Sequence, residues 1–266
     1  MVLQPRSEDP HTLGTWSPDS KHVDLYTTAL ADTVRAYYPA PNEARTEFAL
    51  GLFMYTAAHE LTHAQHYLKV ANPQGALPGR RHPPMDVLLS VSENTRKKFV
   101  EKSIPRFLPI GPKQPPEVAK TALGARMTLR QNYLAGIPCH YEKSCPGQPA
   151  YFYENLAMGE VIAHWGAMTE LVHYMEKGPL PPEAGNVVHH MLDSVQELET
   201  LLNSLSPTEQ AVAKKVLQTI EGGYGEQPVD KPVLMDGARL QALRHRLAQP
   251  TSAHAHETHI PISIDL

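Results

Sequence analysis

Along most of the chain, apolar residues recur at intervals of three and four rather than two. This is the spacing that lines one face of an α-helix, so the sequence reads as mainly α-helical. Asp19 or Ser20 can cap a first helix running to about Tyr38, with Leu25, Ala29, Leu30, Val34 and Tyr37 on a shared face. Asn42 can cap a second, which passes through Phe48, Leu52, Tyr55 and Leu61 to about Val70. A third is expected from about Met85 to Lys102, and others over 116–135, 151–176, 184–204, 208–221 and 235–247. Ser206 before Pro207 marks the start of the 208–221 helix, because proline in a first turn forfeits no helical hydrogen bond.

Proline punctuates this pattern. The chain holds 25 prolines, and the segment from Pro105 to Pro116 is too rich in them for helix or central strand. It divides the expected fold into an N-terminal lobe over 1–103, a connection over 104–116 and a helical C-terminal lobe over 117–250. The final segment, 251–266, reads as an irregular tail, and its HAHETH run has metal-binding composition without a scaffold.

Composition narrows the function classes. At 266 residues the chain can bury a substantial core, as an enzyme requires. Its 24 basic and 28 acidic residues are scattered without a run of one sign, which argues against nucleic acid or an anionic membrane as partner. No apolar stretch approaches the roughly 18 residues of a membrane span, and the N-terminus lacks the basic start and apolar block of a secretory signal. The expectation is a soluble protein, cytoplasmic or exported as an effector. Cys139 and Cys145 are close enough for a small disulfide loop and equally compatible with two free thiols.

The chemistry concentrates in TAAHELTHAQHY. His59 and His63 are four residues apart, so on a helix both imidazoles project from one face and can share one metal ion. Glu60 sits beside them, able to reach a metal-activated water without being a ligand. A catalytic zinc needs a third protein ligand. Glu160 is the best candidate, since Ala157, Glu160, Ala163, His164 and Ala167 share a face whose small residues would let two helices approach closely; Glu154 is the alternative.

The uncharged helix bearing HExxH resembles the zincin metallopeptidases. Glu160-Val-Ile-Ala163-His164 resembles the third-ligand helix of their gluzincin branch, with His164 where the family usually has an aspartate that orients a ligand histidine. The resemblance implies zinc held by His59, His63 and Glu160, Glu60 as general base and acid, and a peptide or protein substrate cut by an endopeptidase. It also implies an oxyanion donor, for which His164, Tyr224, Tyr153, His189 and His190 are candidates. Zincins commonly set a twisted sheet before the motif helix, and its edge strand holds the substrate. The helical pattern here implies a variant with a small or missing sheet, or a short strand near GLFM or KHVDLY.

Two other classes compete. A helical bundle can hold paired irons through Glu-x-x-His segments, and Glu60/His63 and Glu170/His173 have that spacing. A zincin-like module without catalysis would keep the helix alone. His66 reads as an exposed side chain rather than a fourth imidazole, and Tyr151, Phe152 and Trp165 read as core.

Overall fold

A computed structural model of the chain describes residues 1–7, 12–17, 19–41, 43–66, 88, 90–103, 146–147, 150–177, 185–222 and 229–248. The expected connection 104–116, the helix over 116–135, Cys139, Cys145, Tyr224 and the tail all lie outside these residues. Among the described residues the fold is mainly α, with seven helices and one small mixed sheet.

The sheet is built from β1 (Val2–Gln4), β2 (Gly14–Ser17) and β3 (His22–Tyr26) in the order β1-β3-β2. β3 runs parallel to β1, with Leu3 opposite Leu25, and antiparallel to β2, with Trp16 opposite Val23. This corrects the expected helix from Asp19 or Ser20. Residues 19–21 form a turn, with Lys21 in the left-handed region at φ 55°, and the first helix, α1, spans Thr27–Tyr37. In β3 the side chains alternate, Val23 and Leu25 being buried between half-buried His22, Asp24 and Tyr26, which is the period of two that a one-faced strand requires. Of the two suggested short strands, KHVDLY contains β3, whereas GLFM is helical.

Helix α2 (Glu43–His66) carries the HELTH motif, and both β2 and β3 pack on it. The third expected helix is interrupted: Leu88 is helical, Ser90 and Val91 turn the chain, and α3 spans Glu93–Ser103. Ser92 caps the start of α3, its Oγ accepting from the Thr95 N–H at 3.3 Å. Helix α4 (Ala150–Lys177) is the centre of the fold, packed by α2, α3, α5 (Gly185–Ser204) and α6 (Pro207–Glu221). Every residue from Val161 to Thr169 is buried, so this helix is enclosed on all sides. Trp165 is fully buried there, edge-on to Phe99 of α3 with ring centroids 5.3 Å apart, and burying such a side chain stabilises by about 1.5–3 kcal/mol.

The C-terminal part follows its sequence signals closely. Ser206 and Glu209 form a reciprocal capping box at the start of α6, with Pro207 in the first turn. A single 3-10 turn, Val233–Met235, leads into α7 (Gly237–Ala248). Arg246 of α7 donates to the backbone oxygens of Met175 and Glu176, closing off carbonyls that the end of α4 leaves open. No helix of the described residues is long and apolar enough to cross a membrane.

Candidate metal centre

The α2 helix presents Tyr55, His59 and His63 at successive four-residue steps, and α4 presents Glu160 and His164 at the same step. What brings these two ladders together is the absence of bulk between the helices. A Cβ added to Gly166 would lie 2.4 Å from Cγ2 of Thr62, nearer than any real contact of that kind, so the backbone of α4 approaches α2 only because residue 166 has no side chain. The threonines of α2 that enter this buried region satisfy their own hydroxyls. Thr56 donates to the Leu52 carbonyl at 2.8 Å and Thr62 to that of Ala58 at 2.9 Å.

Three side chains meet where the ladders cross. His59 Nε2 lies 3.1 Å from Glu160 Oε2 and 3.1 Å from His63 Nε2, and His63 Nε2 lies 3.5 Å from Glu160 Oε1. One ligand atom from each of the three falls within 4.8 Å of the others, and this is the one such group among the described residues. Two imidazole nitrogens and a carboxylate facing one another at such distances suit a divalent cation of intermediate hardness.

The electrostatics agree. Burial raises the carboxyl of Glu160, but the charge of His63 and the hydrogen bonds of both imidazoles outweigh it and hold Glu160 well below the usual carboxylate range. Burial works against a charged His63, yet the Glu160 carboxylate and the nearby Glu60 push this imidazole up to about 9. A metal cation held by these atoms would compete with protons for them.

Glu60 stands apart from the three. It is buried, and burial raises its carboxyl against the pull of His59 and His63; the Glu160 charge adds to the rise, and a hydrogen bond from the Trp16 backbone N–H opposes it. Its neighbour is the edge strand β2. A Cβ on Gly14 would lie 2.9 Å from Glu60 Cγ and 3.0 Å from Thr56 Cγ2, so glycine at this point lets the strand lie directly on the motif helix. Sequence reasoning did not find Gly14 or Trp16, whose part depends on a pairing that no local pattern announces.

The remaining candidates divide sharply. His164 is buried, its Nδ1 hydrogen-bonded to the Tyr55 hydroxyl and its ring centroid 4.6 Å from that of His59. Tyr55 had appeared only as an apolar-face residue of the second helix, although its place four residues before His59 was a usable signal. His66 is buried rather than exposed, because the last turn of α2 still faces the protein there. The side chains of Tyr151, Phe152, Tyr153, Glu154, His189 and His190 lie outside the described set, as does Tyr224 altogether.

Glu170 is exposed, and the charges acting on His173 come from Glu170, Arg239, Glu176 and Lys177. The second Glu-x-x-His segment therefore faces a different set of neighbours from the first. No protein-family model, curated protein or solved structure matches the chain.

Proposed function

We propose that the chain is a zinc-dependent peptidase of the zincin type, with His59, His63 and Glu160 as metal ligands and Glu60 as general base and acid. The observation that carries this reading is the meeting of Glu160 with both histidines of the motif helix across 101 positions of sequence. Zinc bonds of about 2.0–2.1 Å at tetrahedral angles separate ligand atoms by roughly 3.3 Å. The two imidazole nitrogens are 3.1 Å apart and each lies 3.1 to 3.5 Å from a different oxygen of Glu160, which supports a small tetrahedral ion such as zinc. Zinc in such a site acidifies a coordinated water and polarises a carbonyl.

Glu60 is the group for moving protons. Its carboxyl is raised by burial, it lies beside the ligand pair, and the Trp16 N–H anchors one side of it, so it is suited to accept a proton and pass it to a leaving amine. β2 supports the substrate class. Among the described residues it is the edge strand nearest Glu60, where an extended peptide could be held by strand addition.

The deciding experiment is metal analysis of the full chain combined with hydrolysis of an unfolded protein substrate. One zinc per chain is expected, with hydrolysis abolished and zinc retained in Glu60→Gln. Two irons with a visible absorption band would overturn the reading in favour of the di-iron alternative. A zinc-loaded but inactive wild-type chain would favour a non-catalytic binding module.

A further inference from the structure

We propose that Tyr55 and His164 act as a hydrogen-bonded positioning pair that fixes the His59 imidazole for metal binding, in place of an acidic acceptor. The proposal rests on the metal-site reading above.

A metal-ligating histidine ordinarily has its second ring nitrogen held by a carboxylate or carbonyl, which sets both tautomer and ring orientation. His59 departs from that arrangement. Its Nδ1 is buried and has no hydrogen-bond partner among the described residues. Among the described residues, the ring is oriented by its Nε2 contacts to Glu160 and His63 and by what packs on it.

Two rings do so. The His164 centroid lies 4.6 Å from that of His59 with the planes at 58°, and the Tyr55 centroid lies 6.1 Å away at 35°. Packing can fix an orientation only if the packing groups are themselves fixed. Here they fix each other: the Tyr55 hydroxyl and His164 Nδ1 are hydrogen-bonded, and their rings stack at 25° with centroids 5.8 Å apart. Both are almost fully buried, Tyr55 at 2% and His164 at 4% exposure, so water does not compete for that bond.

The placement follows from helical periodicity. Tyr55 precedes His59 by one turn of α2, and His164 follows Glu160 by one turn of α4, so each ligand-bearing helix contributes one member. The pair thereby ties the two helices together directly behind the metal centre. Ala163 and Ala167, both fully buried, keep the His164 face of α4 narrow enough for this contact.

The test uses the full chain loaded with cobalt(II), whose visible spectrum reports ligand geometry, and zinc affinity measured by chelator competition. Tyr55→Phe removes only the hydroxyl, His164→Leu removes the hydrogen-bonding nitrogen at similar bulk, and His164→Gln restores a hydrogen-bonding group. Tyr55→Phe and His164→Leu are each expected to weaken zinc binding by about 10-fold and to shift the cobalt spectrum. Their double variant should lose less than the product of the two, and His164→Gln should recover most of the affinity. Metal-free melting curves identify any variant that fails to fold; if His164→Leu does, Tyr55→Phe decides the matter alone. Wild-type affinity and spectrum in Tyr55→Phe would overturn the pair while leaving the metal site standing, and so would a His164→Gln no better than His164→Leu. A wild-type chain that binds neither metal would overturn the metal site itself, and the pair with it.

Discussion

Gly166 of α4 faces Thr62 of α2 so closely that a Cβ at residue 166 would lie 2.4 Å from both Cγ2 and Oγ1 of the threonine. Thr62 cannot yield easily, because it is β-branched, buried, and tied to the Ala58 carbonyl. Gly166→Ala is therefore expected to force the helices apart. Overpacking of this kind costs about 1–3 kcal/mol, measurable by denaturant unfolding. The same shift should draw Glu160 away from the histidines and weaken zinc binding, and Gly166→Ala combined with Thr62→Ala should restore part of both. An alanine variant with unchanged stability and metal affinity would show that this contact does not set the spacing of the centre.

Gly14 plays the corresponding part for Glu60. Alanine at this position would press on Glu60 Cγ, Leu25 and Thr56 together, and the glutamate side chain is the most readily displaced of the three. The expected outcome for Gly14→Ala is a fall in kcat with zinc content preserved. Loss of zinc instead would mean that the strand supports the ligands rather than the base.

Glu160 should matter to stability as well as to chemistry. A cation that binds only the folded chain stabilises it by about 2.7 kcal/mol when free metal is 100 times Kd. A chelator should accordingly lower the melting temperature of the wild-type protein. In Glu160→Ala the chelator should have little effect, because the proposed site loses one of its three ligands. Unchanged zinc content in that variant would transfer the ligand role to Glu154 on the same helix.

The ion pair between Glu176 and Arg239 gives a pH-dependent contribution remote from the metal. Two contacts, at 2.6 and 2.7 Å, join the carboxylate to the guanidinium and hold Glu176 below its usual range, against the opposing effect of burial. A depressed carboxyl stabilises the fold above its ordinary value, and that contribution fades as pH falls through the lower folded value. The pair is partly exposed, so solvent screening limits it to about 0.5–1 kcal/mol. Glu176→Gln should cost that much at neutral pH and nothing in strong acid, as read from urea unfolding at several pH values.

By itself the sequence determined whatever depends on residues within a turn or two of one another. His59, Glu60 and His63 share a helical face by spacing alone, the 151–176 and 184–204 helices match α4 and α5 to within a residue at either end, and Ser206 with Pro207 announces the start of α6. The small residues around Glu160 pointed to a close helix approach for the same local reason. Only the tertiary structure decided which faces meet. β3 was legible only as an alternative near KHVDLY, because Leu25 and Ala29 also fit a helical step, and the strand exists through pairing with β1 and β2, whose own sequences are short and weakly patterned. The burial of His66, the seating of Gly14 and Trp16 against Glu60, and the bond from Tyr55 to His164 across 109 positions are likewise invisible to any local period. Periodicity tells which side chains lie on one side of a helix, while the partner on that side is chosen by packing between segments far apart in the chain.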